Sequence, residues 1–173
     1  MNKVKAFRFD RTRAFVSRYV DRRERILDLG TPSELSELLK EDQFQLESGH
    51  GFDFDLEPDR INDYEYDVLT AFEVLEHLVS PFPLLQKTRA RKLVVTVPLR
   101  LWFAKAYQDA GNPYDRHYHE FERWQLDMLI EKAGWEIKAR EKWVPPFQPG
   151  GLRSILRAVT PRFYAVYAER KTI

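Results

Sequence analysis

The chain contains no cysteine among its 173 residues. Disulfide bonds, cysteine nucleophiles, zinc sites built on thiolates and iron–sulfur clusters are therefore excluded. It also lacks an apolar run of membrane-spanning length, and its first residues are rich in lysine and arginine rather than in the apolar residues of a signal peptide. We therefore expect a cytoplasmic protein without a membrane span.

Net charge is nearly absent as well, at +1. This small total hides an asymmetry, because residues 1–25 carry nine Lys and Arg against three Asp and Glu, whereas residues 41–78 carry twelve acids against Arg60 alone. The basic start could bind nucleic acid or anionic lipid. Alternatively, residues 1–24 form a helical segment that packs on the domain. Its apolar stripe would consist of Val4, Phe7, Ala14, Phe15 and Tyr19.

We favour the packed helix, because the total charge is balanced and the chain shows no arginine–aromatic RNA-binding motif. No nucleic-acid partner is therefore expected. A hydrophobic content of 43% over this length suffices for one core, so we predict a single domain over residues 1–173.

The first strand–helix unit lies at residues 25–40. Residues 25–30 form an apolar strand that ends in glycine, and we predict Thr31 as the helix N-cap. Pro32 would take the first helical position and Glu34 would close a capping box. A strand, a tight turn and a helix N-terminus together can hold a polar or anionic ligand.

A further strand–helix unit begins at residue 66. Residues 67–72 read as a buried parallel strand, and a helix is predicted to open directly after Phe72. This places Phe72 and Glu73 at the carboxyl edge of the sheet, where open α/β sheets bind their ligands. Between the two units only residues 44–48 suggest a strand. The βα unit that follows it is therefore predicted to be abbreviated, with its helix missing or reduced to a turn.

The predicted fold class is α/β, a Rossmann-like, mostly parallel sheet flanked by helices, with an antiparallel final strand. The remaining elements, in order, are a helix from Ser80 and Pro81, a central strand at 93–97, a long aromatic segment at 99–120, a helix at 121–133 ended by Gly134, a strand at 135–143, a short helix at 152–159 and a strand at 163–168.

Three stretches in combination resemble a known family. Residues 25–30 resemble a first motif, residues 66–78 resemble the signature Y/F-D-x-V-x-x-x-E-V-L-E-H-L, and residues 119–137 resemble H-x-x-x-F-x-x-x-x-L-x-x-L-L-x-x-A-G-W/F-x-I. Together they resemble class I S-adenosylmethionine-dependent methyltransferases, in the small group related to ubiquinone-biosynthesis O-methyltransferases. The resemblance implies S-adenosylmethionine as cofactor and a small-molecule or lipid-like methyl acceptor.

On the methionine side, the resemblance implies that Asp28 and Gly30 flank the cofactor and that Phe72 and Glu73 line its methionine and adenosine. An apolar ring wall and a carboxylate are suited to those two parts of the ligand.

On the nucleoside side, the resemblance implies an acid that binds the ribose hydroxyls, and Glu47 and Asp53 remain alternatives for it. The adenine-side acid matches Asp55, which is followed by Leu56. These four complete the predicted cofactor-binding set.

The chain departs from the family pattern in the first turn. Pro32 and Glu34 occupy two glycine positions of the usual G-x-G-x-G motif, so that a donor N–H is removed and an anion is added beside the cofactor's carboxylate. The alternative hypothesis is therefore a non-catalytic binding module of the same fold that has lost or weakened its cofactor site. A nicotinamide dehydrogenase is disfavoured, because the glycine fingerprint and the later motifs disagree with it.

Candidates for acid–base chemistry are Glu73, His117 and His119. His117 and His119 could also ligate a metal, but the sequence determines no third ligand, so no metal is predicted. A lid in which Tyr114, His117, Tyr118 and His119 line the substrate side, and simple packing beneath a long loop, both remain open.

Overall fold

A computed structural model describes residues 2–109, 111–112 and 115–172. Its elements in chain order are α1 (Lys3–Tyr19), β1 (Arg25–Leu29), α2 (Glu34–Glu41), β2 (Gln45–Gly49), a 3₁₀ turn (Pro58–Asp63), β3 (Val68–Phe72), a second 3₁₀ turn (Leu75–His77), α3 (Pro81–Lys87), β4 (Lys92–Pro98), α4 (Arg123–Lys132), β5 (Trp135–Trp143), α5 (Leu152–Val159) and β6 (Phe163–Arg170). None of the helices described is long and apolar enough to cross a membrane.

The six strands form one sheet in the order β2-β1-β3-β4-β6-β5. The pairs β1–β2, β1–β3 and β3–β4 are parallel, and β6 is inserted antiparallel between β4 and β5. The predicted mostly parallel sheet with an antiparallel final strand is confirmed. The abbreviated second unit is confirmed too, because only a 3₁₀ turn separates β2 from β3.

Helices cover both faces of the sheet and create two hydrophobic clusters. On one face α1 and α2 pack through Phe9, Phe15 and Leu39, all buried. On the other face α3 and α4 pack through side chains such as Leu84 and Ile130. The carboxyl ends of the parallel strands lie between these two layers, and this arrangement leaves one open edge for a ligand.

Two local predictions were wrong, both at the start of a helix. The residue that caps α2 is Ser33 rather than Thr31, and its partner in the capping box is Ser36 rather than Glu34. After β3 there is no α-helix but only the 3₁₀ turn, because Glu73 adopts a left-handed backbone conformation with φ +56° that ends the strand abruptly.

The apolar stripe predicted for α1 is right except at one position. Phe15 is buried, and Val4, Phe7 and Tyr19 are half-buried and pack on the same cluster, whereas Ala14 is exposed. The stripe also includes three buried residues that were not predicted, Phe9, Thr12 and Val16. The first turns of the helix lie at the carboxyl edge of the sheet.

Candidate functional site

A cavity of about 320 Å³ lies at the carboxyl edge of the sheet, beside the ends of β1, β3 and β4. This volume falls within the range of small-molecule sites, about 300–1,000 Å³. Its lining includes Arg8, Asp28, Gly30, Phe72, Glu73 and Thr96. Four of these, Asp28, Gly30, Phe72 and Glu73, belong to the cofactor set predicted from the sequence.

Gly30 forms the turn after β1. Its φ of +104° is a conformation that L side chains rarely adopt, which is why glycine is needed at this position. Its N–H donates to the carbonyl of Gly49 at 2.9 Å, so the ends of β1 and β2 are tied together. The turn thereby leaves the N-terminus of α2 facing the cavity edge.

Asp28 is a buried carboxylate in the cavity wall. It accepts hydrogen bonds from the hydroxyls of Thr70 (2.7 Å) and Ser36 (2.9 Å). Burial raises the pKa of Asp28 to about 6, and this effect outweighs the two hydrogen bonds, which lower the pKa. Ser36 also belongs to the α2 capping box, so one side chain links the helix start to the acid.

Glu73 is the strained residue of the site. Left-handed backbone in a residue other than glycine costs energy and is typical of functional positions. Its N–H donates to the carbonyl of Thr96 at 2.9 Å, and its Oε2 accepts from the Arg8 guanidinium at 2.8 Å. Glu73 Oε1 and Thr96 Oγ1 are buried without a hydrogen-bond partner. Such unpaired polar atoms in a cavity wall fit a polar ligand that would satisfy them.

Helix α1 supplies residues that sequence reasoning did not assign to the site. Lys5, Arg8, Phe9 and Thr12 line the cavity. The basic N-terminal segment was interpreted as cover for the sheet, and its lysine and arginine were the only signal for this role. The interpretation as a packed helix and the placement at the site are compatible, because α1 does both.

The other predicted cofactor residues lie away from the 320 Å³ cavity. Glu47 is exposed on the edge strand β2. Asp53 Oδ1 accepts from the N–H groups of Asp55 and Leu56, and Leu56 is 80% exposed. Asp55 accepts from the N–H groups at 79 and 80 (2.9 and 2.7 Å), so its carboxylate holds the start of α3. Their roles in ribose and adenine binding stay predictions.

A second cavity of about 630 Å³ adjoins the first, with which it shares Lys5, Arg8 and Glu73. Its wall adds Glu76, His77, Tyr107, His117, Arg157 and Arg162. Two of the three acid–base candidates, Glu73 and His117, thus meet here. The third, His119, contacts the Val79 carbonyl at 3.2 Å, stacks on Phe121 and does not line this cavity. Tyr118 is 61% exposed, and Tyr114 lies outside the described residues.

Glu76 is the most deeply buried acid of the second cavity, with 1% of its surface exposed. The pKa of Glu76 lies well above its ordinary value. Burial is the largest cause of this shift, and the charge of Glu73 is the next. The backbone carbonyl of Glu76 accepts from the N–H groups of Tyr118 (2.8 Å) and His119 (3.2 Å). These bonds anchor the long aromatic segment to the 3₁₀ turn and place His117 beside Glu76.

Comparison with known proteins agrees with this architecture. Residues 4–139 match a family model described as methyltransferase domain. No curated protein matches the chain. Among solved structures, a protein from Listeria monocytogenes assigned to the S-adenosylmethionine-dependent methyltransferases has a TM-score of 0.63 at 13% identity, over 99% of this chain and 100% of its own.

Two further structures are similar. A SAM-dependent methyltransferase from Archaeoglobus fulgidus has a TM-score of 0.59 at 17% identity, over 94% of both chains. Phosphoethanolamine N-methyltransferase 2 from Haemonchus contortus, solved with S-adenosyl-L-methionine, has a TM-score of 0.58 at 13% identity, over 94% of this chain and 53% of its own. At these identities the likeness establishes the shared fold.

Proposed function

The chain belongs to the methyltransferase domain family, and on that premise we propose that it transfers a methyl group from S-adenosylmethionine to a small-molecule or lipid-like acceptor in the cytoplasm. Membership in the narrower group related to ubiquinone-biosynthesis O-methyltransferases stays a prediction.

One observation carries the proposal. The 320 Å³ cavity lies at the carboxyl edge of a parallel sheet, next to the strand order's change of direction between β1 and β3. This is the place where open α/β sheets bind nucleotide-like ligands. Its wall combines an apolar ring, Phe72, with the unpaired oxygens of Glu73 and Thr96, as an amphipathic cofactor requires.

The residues that would hold the cofactor follow from this wall. Gly30 and Thr31 present backbone at the turn, Phe72 offers an apolar surface, and Glu73 offers an acceptor oxygen. Lys5 and Arg8 offset the negative charge of Glu34 and Glu73 beside the place of the cofactor's carboxylate. When bound, S-adenosylmethionine supplies an electrophilic methyl group on a sulfonium.

The second cavity is suited to the methyl acceptor, because it adjoins the first through Arg8 and Glu73. Methyl transfer depends chiefly on alignment of the acceptor with the sulfonium, and two adjoining pockets supply such alignment. Where the acceptor atom carries a proton, a base of this wall would take it, and the acid–base residues predicted from the sequence that lie here are Glu73 and His117.

The altered first turn disfavours cofactor binding less than the sequence alone suggests. Glu34 is not engaged in a capping box but forms an ion pair with Lys5 at 2.6 Å. A paired Glu34 repels a cofactor carboxylate less than a free one does. Pro32 still removes one backbone donor from the turn.

Calorimetry and thermal unfolding with S-adenosylmethionine, and with its demethylated product S-adenosylhomocysteine, test the proposal. We expect binding with one site per chain. At a hundred times the dissociation constant, the ligand should raise the free energy of unfolding by about 2.7 kcal/mol. ATP and NAD⁺ at the same concentrations serve as controls and should leave the melting temperature unchanged.

The opposite result favours the alternative function. If neither compound gives heat or a thermal shift, the chain would instead be a binding module of methyltransferase fold whose Pro32 and Glu34 have abolished the cofactor site.

A further inference from the structure

We propose that Glu76, His77 and His117 form a binding site for a divalent transition-metal ion on the acceptor side of the cofactor cavity. One carboxylate oxygen and one ring nitrogen from each histidine lie within 4.8 Å of one another. His117 is forty positions from His77 in sequence, and the fold brings it to Glu76 and His77 through the bonds between the 3₁₀ turn and the aromatic segment. The inference stands independently of the proposed methyl transfer.

Both histidines present the same free ring nitrogen. His77 Nδ1 lies 3.0 Å from the carbonyl of Arg116, and His117 Nδ1 lies 3.0 Å from Glu120 Oε1. A carbonyl or carboxylate can only accept, so Nδ1 carries the proton in each neutral ring and Nε2 has a free lone pair. An Nδ1–H held by a carbonyl or carboxylate is the arrangement that orients histidine for metal binding.

The two histidines lie beside each other, and His77 lies beside Glu76. His77 Nε2 is 4.0 Å from Glu76 Oε1, and the two imidazole rings have centroids 4.9 Å apart at an interplanar angle of 82°. Two ligands of one tetrahedral ion at about 2.1 Å are separated by about 3.4 Å. Since the three ligand atoms lie within 4.8 Å of one another, an approach of at most about 1.4 Å, achieved by side-chain rotation, would bring them to one ion.

Glu76 supplies an independent reason to expect a cation. Its side chain is 1% exposed, and its Oε2 is buried without a hydrogen-bond partner. A polar oxygen that is buried without a partner is costly, and a bound cation would supply the missing partner. The nearby guanidinium of Arg8 is paired with Glu73.

The donor set indicates the class of ion. Two imidazoles and one carboxylate suit zinc and other first-row transition metals better than magnesium or calcium, which prefer oxygen ligands. Three protein ligands leave a coordination position open, as in catalytic rather than structural zinc sites. All three residues line the 630 Å³ cavity, so the open position faces the space assigned to the acceptor.

Sequence reasoning predicted no metal, because His117 and His119 lacked a third ligand. The structure separates these two histidines: His117 joins His77, while His119 turns to the Val79 carbonyl. The third ligand, Glu76, comes from the turn after β3.

Zinc titration of the metal-free full-length protein, dialysed against chelator and measured by calorimetry without cofactor, tests the site. We expect one Zn²⁺ per chain, with affinity reduced at least a hundredfold in both His77→Ala and His117→Ala. His50→Ala serves as the matched control, since it removes an exposed histidine outside the cluster and should bind like wild type. Wild-type protein that binds no zinc, or cluster variants that bind as well as His50→Ala, would overturn the proposal.

A spectroscopic measurement avoids dependence on the variants' folding. Co²⁺ added to the wild-type protein should develop the intense visible absorption of a four- or five-coordinate ion with nitrogen ligands, and zinc should abolish it. A spectrum that stays that of the hydrated ion would contradict the site. Because no cofactor is present, failure here is distinguishable from failure to bind S-adenosylmethionine.

Discussion

Two residues at the carboxyl edge of the sheet differ from isolated residues, one in the pKa of its side chain and one in its backbone conformation. Asp28 is 5% exposed and satisfied by two hydroxyls, yet its pKa rises, because two neutral donors replace less of the carboxylate's hydration than burial removes. Glu73 has left-handed backbone and one unpaired oxygen. Both residues were predicted as ligand contacts, but neither of these states could be read from the sequence.

The pH dependence of stability should report Asp28. Its pKa is about 6 in the folded state against an ordinary 3.8, so the folded protein binds more protons than the unfolded chain between these values. Its contribution is thus fully present below pH 4 and lost as the pH rises through 6. From pH 4 to 7, the free energy of unfolding of wild type should fall by about 2.4 kcal/mol relative to Asp28→Asn.

Urea denaturation of both proteins at several pH values measures this difference. Asparagine has the same shape and keeps one acceptor oxygen, while its NH₂ group can donate to the other of the two hydroxyls, so the pH dependence of the difference isolates ionisation. A difference that is constant, or that grows with pH, would show that Asp28 does not titrate as stated.

At the level of elements, strands were predicted better than helix starts. The strands β3, β4, β5 and β6 were all located within two residues, because apolar runs and alternation reflect burial directly. Helix starts depend on which hydroxyl reaches which N–H, and Thr31, Ser33 and Ser36 are all chemically able to cap. Only the path of the chain after Gly30 decides among them.

Removal of the capping side chain tests whether Ser33 or Thr31 caps α2. Ser33→Ala should lower the free energy of unfolding by about 1 kcal/mol, because Ser33 Oγ accepts from the Ser36 N–H at 3.2 Å. Thr31→Ala, the matched control, should change it by less than about 0.5 kcal/mol, since Thr31 is exposed and is not the cap. Equilibrium urea unfolding measures both. A larger loss at Thr31 than at Ser33 would restore the capping box predicted from sequence.

At the level of the whole molecule, the charge asymmetry of the chain is resolved by folding. The basic N-terminal helix packs near the acidic region, so that Lys5 pairs with Glu34, Arg8 with Glu73 and Arg13 with Asp42. The first two pairs form part of the cavity wall. The segment interpreted as a packed helix is therefore also a source of charge for the site.

Removal of the charges of the Lys5–Glu34 pair tests whether this pair affects the cofactor cavity. Lys5→Gln leaves the Glu34 carboxylate uncompensated and should weaken S-adenosylmethionine binding about fivefold at low salt, because an unpaired anion beside the turn repels the cofactor's carboxylate. Glu34→Gln in the same chain should restore affinity, because it removes the repelling anion. Calorimetry on wild type and the single and double variants gives the comparison. A double variant as weak as Lys5→Gln would show that Lys5 acts otherwise than by neutralising Glu34.

The sequence by itself determined the fold class and the order of the strands along the chain, and it pointed to four residues that the structure places at one cavity. It could do so because buried strands show as apolar or alternating runs and because Gly30, Phe72 and Glu73 lie at the ends of strands. Prediction failed where the information is not local. The helix expected after Phe72 became a 3₁₀ turn, since the left-handed Glu73 depends on its surroundings rather than on its neighbours in sequence.

Only the tertiary structure decided which distant side chains meet. It brought Arg8 to Glu73 across 65 positions, and His117 to His77 across forty, while it turned His119 away. Sequence spacing does not predict the distances between these side chains, because they depend on how the aromatic segment folds back onto the turn after β3. The physical reason is that hydrogen bonds from two backbone N–H groups to the Glu76 carbonyl hold that segment in place, and backbone groups are common to every residue type.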